Sequence, residues 1–560
     1  MQVDTSHGAR GSRKRLTVAV IAAVALTTGA TAALAANPHE NWRMGGQNTS
    51  NTRNSSNEHE IKVSNVGTLR VKWNVTTAGD VSATPAVDDD RVYFPDSAGN
   101  LYAVDRDTGA VLWTSSISAA TGIARDYARA TPAIAGKTLV IGTQSGKFET
   151  PSTPAALAGG YVLGFDTATG ALKWKTKVDN HFSAIVTQSA IIQGSNAYVG
   201  VAGNEEAYVN KTFNGGQPYT CCTFRGSILK LNTNTGAISW KTYTVPDIAG
   251  YSGGAVWGST PALDTATGSL YIATGNNYSM PVPVLQCVQS AVGDSAKHAC
   301  VSPDDHFDSI VSLNSDTGAI KWAYNSLASD AWNVDCGIPG FPLDLSNNNC
   351  PSPATGPDYD FAQGPMLFTG GGRVLVGAGE KSGDFVTLDR ATGVVVWRNH
   401  VGPGGLTGGL QWGSATDGKQ IYVAQDNSAT LTAGYWAALD PATGVTNWTT
   451  TETSTGYPFG PYGPYGYSIE GPVSVANGVM YGCSLSPNGP NMFALDATTG
   501  QIKWSFASGA SCLGGAAIAD GNIYWGTGYR AFAPLTTGVA PGQPGLYAFS
   551  LNDNGDNGNH

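Results

Sequence analysis

The residues able to do chemistry in this 560-residue chain stand at the ends of short apolar runs. Arg129 and Thr187 lead into RATPAIAG and TQSAIIQG, and Trp257 stands ahead of another run in GGAVWGSTPAL. Glu205 follows YVGVAGN, Asn276 closes LYIATGN, Asp304 precedes DSIVSLN, and Lys381 lies in VGAGEKSG. Together they offer a guanidinium, a hydroxyl, an indole, two carboxylates, an amide and an ammonium. Such groups can bind an oxyanion, hold a hard cation through oxygen and move a proton. Cys221 and Cys222 are consecutive, and a bond between them closes an eight-membered ring, a rare and therefore informative pair.

Seven copies of one phrase supply the elements that must position these groups. They read LYAVDRDTGAVLW (101–113), VLGFDTATGALKW (162–174), ILKLNTNTGAISW (228–240), IVSLNSDTGAIKW (310–322), FVTLDRATGVVVW (385–397), WAALDPATGVTNW (436–448) and MFALDATTGQIKW (492–504). Each is an apolar strand, a tight turn whose Gly tolerates positive φ, and a second strand ending in Trp. Two further short strand patterns precede each hairpin, so a four-stranded unit recurs about every 50 to 80 residues, the regime of propeller blades. An eighth copy, LYAFSL (546–551), lacks its last strand, and LRVKWNV (69–75) is predicted to supply it. The expected fold is an all-β, eight-bladed propeller over residues 36–553 whose two ends close one shared blade, with a polar tail at 554–560. In a propeller, the loops entering the innermost strands and those joining second to third strands open on one face. All seven candidates above then converge on one rim.

The first 35 residues carry Arg10, Arg13, Lys14 and Arg15, the apolar run LTVAVIAAVAL and the small-residue end Ala33-Leu34-Ala35, the layout of a secretory signal cleaved after Ala35. The run is shorter than the roughly 20 apolar residues of a membrane span, so the mature protein is expected to be secreted, extracellular or periplasmic, with no span. Charged residues make up only 13% of the chain and the net charge is -10, with basic residues dispersed, which excludes a nucleic-acid partner. Eight cysteines in an exported chain favour disulfides. Cys287/Cys300 and Cys336/Cys350 each lie within one loop, and Cys483 and Cys512 are expected to pair across neighbouring blades. There is no C-x-x-C-H for covalent haem, and the cysteine spacings do not suit zinc.

The repeats and the adjacent cysteines together resemble the pyrroloquinoline quinone (PQQ) dehydrogenases. The repeat alone says little about chemistry, because non-catalytic outer-membrane assembly propellers use a similar phrase. NWRMGGQNTSNTRNSS, TTAGDVSATPAV, CCTFRGSILKLN, DAWNVDC, GPDYDFAQGP, AGEKSGDFVTLD and IYWGTGY are similar to the polyvinyl-alcohol dehydrogenase branch of that family, and the resemblance covers essentially the whole mature chain.

The resemblance implies a role for each candidate. Arg129 matches the arginine that pairs with a PQQ carboxylate, Thr187 the threonine that hydrogen-bonds the cofactor, and Trp257 the indole floor beneath the quinone; Gly203 and Asn204 border the same place. Glu205 and Asn276 match the metal ligands, with Asp304 beside them and Glu206 as the rival of Glu205, an oxygen set suited to Ca²⁺. Lanthanide-using relatives carry an extra Asp two positions beyond the catalytic one; that position is His306 when Asp304 is catalytic, which again favours Ca²⁺. Cys221-Cys222 is expected over the open face of the quinone, although the methanol-oxidising type places the pair just upstream of the arginine instead. Ser82 stands where those enzymes have a Glu. Trp412 and Trp525 are expected as further pocket walls.

The implied reaction is oxidation of an alcohol, with secondary alcohols or polyvinyl alcohol favoured. Ca²⁺ acts as Lewis acid, Lys381 stabilises charge on the cofactor oxygens, and Asp304 takes the hydroxyl proton, with Asp305 and His306 as competing bases. An external acceptor, a cytochrome or quinone-like carrier, must then reoxidise the cofactor. Two alternatives stand beside this: a quinoprotein acting on sugars, and a non-catalytic binding or assembly propeller. The second leaves Arg129, Glu205, Asn276, Lys381 and Cys221-Cys222 unexplained. The segment GYPFGPYGPYGYS (456–468) is either a cradle for a polymer or a surface loop.

Overall fold

Each repeat turn carries its own fastening. In the computed structural model, Oδ1 of Asp105 accepts hydrogen bonds from the backbone N–H of Asp107 and Thr108, so the strand Asn100–Asp105 reverses into Val111–Ser116. Gly109 completes that turn at φ 72°, and a Cβ there would stand 2.7 Å from the Trp73 ring. The repeat therefore couples neighbouring blades: its Trp lies on the turn of the next blade. Trp73 Nε1 donates to Arg106 O, Trp113 to Thr167 O, Trp174 to Thr233 O and Trp240 to Ser315 O, at 2.8–3.2 Å. Truncating a buried indole of this kind costs about 3–5 kcal/mol.

The structure describes residues 41–551 except 147–155, 339–341, 428–432, 454–468, 487–488 and 530–542. The expected secretory signal, the polar tail and the Tyr-rich segment 456–468 lie outside the described residues. Among the described residues, eight sheets form the blades, each built on four antiparallel strands as the repeats predict; three of them carry a fifth short strand, one being Asn54–Ser55, which pairs parallel with Ser474–Ala476. The eighth consists of Ala517–Ala519, Asn522–Thr527 and Gly545–Leu551, closed on its outer side by Leu69–Thr76 in a register running from Leu69↔Leu551 to Thr76↔Gly545. All four expected disulfides form: Cys221–Cys222, Cys287–Cys300, Cys336–Cys350 and Cys483–Cys512.

One element had no counterpart in the repeat pattern. The segment from Trp42 to Ser55 runs around the axis and hydrogen-bonds the inner strands in turn. Trp42 exchanges backbone hydrogen bonds with Val87, Arg43 O accepts from Ile134 N, Thr49 O from Leu263 N, Ser50 O from Leu367 N, Thr52 O from Thr416 N, and Arg53 O from Val475 N. Asn51 Nδ2 adds bonds to the carbonyls of Thr260 and Pro365. Inner strands of a propeller present unpaired edges to the axis, and this segment satisfies part of them.

Candidate active site

Two loops of the fifth blade bring the central charges together. Lys381 follows the strand Arg373–Gly379, and its backbone N–H donates to Asp360 O at 2.9 Å. Its ammonium lies 3.1 Å from both Asp358 Oδ2 and Asp360 Oδ2 and 5.4 Å from the Trp257 ring centroid. Trp257 Nε1 donates to the same Asp360 Oδ2 at 2.9 Å, and Asn276 N donates to Asp360 Oδ1 at 2.6 Å. Trp257 meets Trp412 edge to face with centroids 5.2 Å apart, and the Arg129 guanidinium lies 4.8 Å from the Trp412 ring. Arg129, Trp412, Trp257, Lys381, Asp360 and Asn276 thus form one continuous chain of contacts across the rim. Thr187 lines a cavity with Arg129, Trp412 and Ser82.

The vicinal disulfide belongs to this neighbourhood. Cys221 and Cys222 pack in one apolar cluster with Trp257, Phe224 and Tyr278. Asn333 Nδ2 contacts Cys221 Sγ at 3.5 Å, and Tyr278 Oη donates to Gly203 O at 2.9 Å. The Gly203-Asn204 pair ends the strand Asn196–Gly203 and opens the short helix Glu205–Tyr208.

Three expectations are corrected. Glu205 does not join the metal-ligand set: it is buried beneath the disulfide loop and accepts from Thr223 N, Phe224 N and the Tyr219 hydroxyl. Its rival Glu206 is the carboxylate that faces the site. Burial first, and then the charge of Asp360, push Glu206 up to about 8 against the pull of Lys381. Asp304 does not reach the centre either. It is exposed, at the end of an excursion that carries the helices Val282–Ser290 and Asp294–His298, stapled by Cys287–Cys300. Asp305 and His306 turn inward instead, Asp305 onto Asn277 Nδ2. Trp525 is fully buried in the closing-blade core, where its Nε1 donates to Gly514 O at 2.6 Å, so it packs the fold and forms no pocket wall.

Asp358 and Asp360, in GPDYDFAQGP, had no role in the sequence reading. They stand ahead of the inner strand Met366–Gly370, the same kind of position that singled out Arg129 and Trp257, so the positional rule itself could have found them. Burial and the charge of Asp360 drive Asp358 well above the usual carboxylate range, although Lys381 opposes this. For Lys381, burial favours the neutral form, but Asp358, Asp360 and Glu206 more than offset it and hold the ammonium above the ordinary lysine value. The inference from His306 falls with Asp304: two residues beyond Asp360 stands Ala362, while the second carboxylate, Asp358, stands two residues before.

These residues fit a hard cation and a planar, polyanionic cofactor. Asp358 and Asp360 share one ammonium and Glu206 acts on it from farther off, an excess of buried acid that a cation would neutralise. Asn276 Nδ2 donates to Trp332 O and Asn277 O, which leaves its Oδ1 as the ligand end. Among the described residues no three His, Cys, Asp or Glu side chains form a ready-made metal cage, so a cation held here would need oxygen ligands from a bound cofactor as well. The indole of Trp257, the apolar disulfide and the Arg129 guanidinium are groups that would suit the floor, the cover and a carboxylate of such a cofactor.

The sequence model of a family described as "Outer membrane protein assembly factor BamB" matches residues 19–217 and 158–505. The chain is 28% identical over 505 residues to a protein named polyvinylalcohol dehydrogenase from Sphingopyxis sp. (strain 113P3), covering 84% of this chain and 70% of that one. It is 25% identical over 547 residues to a protein of the same name from Pseudomonas sp., covering 91% and 77%. In fold it is similar to the quinohemoprotein alcohol dehydrogenase ADHIIG of Pseudomonas putida HK5, with a TM-score of 0.67 at 18% identity over 91% of this chain and 80% of that one. The chain belongs to the quinoprotein, PQQ-dependent alcohol dehydrogenase family, in its polyvinyl-alcohol dehydrogenase-like branch.

Proposed function

We propose that this protein is an exported dehydrogenase that oxidises secondary alcohols, including those of polyvinyl alcohol, with PQQ and Ca²⁺, and passes the electrons to an external acceptor. The observation that carries this is the contact chain from Arg129 through Trp412, Trp257 and Lys381 to Asp360 and Asn276. The two relatives named polyvinylalcohol dehydrogenase favour that substrate class. Four disulfides accord with an oxidising compartment, and among the described residues no helix is long and apolar enough to cross a membrane.

PQQ, when bound, supplies a two-electron acceptor for the carbinol hydrogen, and Ca²⁺ supplies Lewis-acid polarisation. Glu206 and Asn276 Oδ1 would hold the cation, and Arg129, Thr187 and Trp257 would bind the cofactor. Asp360 takes the hydroxyl proton of the alcohol at Oδ2, the oxygen already fixed by Trp257 Nε1 and Lys381 Nζ. Lys381 keeps its proton and offsets negative charge that develops beside it. The Cys221–Cys222 cover excludes water from that face. The sequence holds no haem attachment motif, and on this reading an external acceptor takes the electrons.

Reconstitution tests the reading. The secreted protein loaded with PQQ and Ca²⁺ is expected to reduce dye with polyvinyl alcohol and secondary alcohols faster than with primary alcohols or glucose. Chelation abolishes the activity and Ca²⁺ restores it. Faster turnover of glucose supports the sugar-oxidising alternative, and undiminished turnover by cofactor-free, chelated protein overturns the assignment.

A further inference from the structure

The turn that carries the proposed base is held by a residue outside the contact chain. Asp330 is fully buried; its Oδ1 accepts from the backbone N–H of Asp358 at 3.1 Å and its Oδ2 from that of Tyr359 at 2.8 Å. Each carboxylate oxygen thus serves one of two consecutive N–H groups. Asp358 stands at φ 62°, a conformation that a non-glycine residue adopts at a cost and keeps only where its surroundings over-determine it. The backbone of Asp330 is tied to the other wall of the site, its carbonyl accepting from Asn277 N at 3.0 Å. A Cβ on Gly356 would lie 1.9 Å from Asp330 Oδ1, and one on Gly275 would lie 2.7 Å from Asp360 Oδ1. Both carboxylates therefore rest directly on glycine backbone, and neither has room to swing.

A second acid supports Asp330. Asp308 is fully buried; its N–H donates to Gly275 O at 3.1 Å and its carbonyl accepts from Ser326 N at 2.8 Å. No N–H or hydroxyl donates to either of its carboxyl oxygens. Burial first, and then the charges of Asp330, Asp360 and Glu380, drive Asp308 well above the usual carboxylate range. Burial pushes Asp330 only up to about 6, because its two N–H donors favour the charged form. The pair therefore carries one proton at neutral pH, on Asp308, which donates it in a hydrogen bond to Asp330.

We propose that Asp330 is a positioning residue for the alcohol oxidation: by holding the N–H groups of Asp358 and Tyr359 it aims the Asp358 and Asp360 carboxylates, and Asp308 fixes its orientation in turn. Both carboxylates then reach Lys381 Nζ at 3.1 Å, with Asp360 also on Trp257. Asp330 acts through the turn and not on the reacting atoms. This role rests on the reading of Asp360 as the base.

The test compares kcat per bound PQQ with KM for a secondary alcohol in protein loaded with PQQ and Ca²⁺. In Asp330→Asn one acceptor oxygen becomes an NH₂ that faces a backbone N–H, so the turn must shift while side-chain volume is kept. Misplacing a reacting group by roughly 1 Å costs up to about a hundredfold, so kcat is expected to fall at least about tenfold, with KM and the Kd of PQQ within about threefold of wild type. A merely structural role lowers Tm and the yield of loaded protein but leaves kcat per bound PQQ unchanged, and that result overturns the proposal. Where Asp330→Asn does not fold, Asp308 decides the matter. Asp308→Ala removes the donor to Asp330 and should lower kcat at least about threefold, and Asp308→Asn, which restores a donor, should recover most of the loss. Asp308→Ala at wild-type kcat, or Asp308→Asn no better than Asp308→Ala, overturns the proposal. Asp360→Asn in the same assay separates the two readings. If it keeps wild-type turnover, the base assignment fails and the positioning role falls with it; if it loses about a hundredfold while Asp330→Asn loses nothing, the positioning role alone fails.

Discussion

Replacing Asp360 by Asn should nearly abolish turnover while leaving the fold intact. In the native site, Oδ2 accepts from Trp257 Nε1 at 2.9 Å and Lys381 Nζ at 3.1 Å, and Oδ1 accepts from Asn276 N at 2.6 Å. An amide has one acceptor oxygen. It can serve Asn276 or the Trp257–Lys381 pair, and its NH₂ then faces donors on the other side. More directly, it cannot take a proton. A positioned base contributes roughly 10²–10⁴ in rate, or about 2.7–5.4 kcal/mol of activation free energy. The variant, loaded with PQQ and Ca²⁺, is assayed by dye reduction at saturating secondary alcohol, with PQQ binding measured separately by fluorescence. A fall of at least about a hundredfold is expected, with cofactor still bound. Asp304→Asn is the control: that side chain is exposed, so its turnover should stay within about twofold of wild type. Asp360→Asn retaining more than about a tenth of wild-type turnover, or Asp304→Asn losing a hundredfold, would refute the reassignment of the base.

Three other outcomes follow from the geometry. Glu206→Gln should raise the Ca²⁺ concentration for half-reconstitution by about tenfold or more with little change in Tm, whereas Glu205→Gln should cost about 2–3 kcal/mol of stability, because Glu205 accepts from two backbone N–H groups and a tyrosine hydroxyl; denaturant melts and Ca²⁺ titrations read the two effects. Removing Cys483–Cys512, which spans a sequence separation of 29, should cost about 3–4 kcal/mol, while a Cys221→Ser/Cys222→Ser variant closes no loop and should lose PQQ affinity and turnover before stability. Burial raises Glu380 from 4.5 to about 7, so its protonated form stabilises the fold fully below pH 4.5 and that contribution is lost as pH rises through 7, at most about 3 kcal/mol. Glu380→Gln should therefore flatten Tm between pH 5 and 8 and raise it at pH 8, and an unchanged pH profile would count against the assignment.

The architecture was legible because it is local and repeated. Seven Asp- or Asn-x-x-Thr-Gly turns, each followed by a Trp, specify hairpins and the contact of each blade with the next, and an eighth copy without its last strand pointed to Leu69–Thr76 as the closing strand. Periodicity and turn chemistry act within a few residues, so a linear reading recovers them. The placement of Arg129, Thr187, Trp257, Asn276 and Lys381 on one rim followed from strand ends alone. The choice among neighbouring acids did not. Glu205 and Glu206 are adjacent on a helical turn and differ by about 100° in direction. The N–H groups of Thr223 and Phe224, about 20 residues away, decide which of them is captured. Asp304 precedes the expected strand, yet the helical excursion before it ends on the surface. Asp360 instead reaches Trp257 and Asn276, roughly 100 residues earlier in the chain, through contacts that only the packing of the fifth blade against the fourth creates. Side-chain direction and burial are set by what packs against a residue in space, and in a propeller that partner belongs to another blade.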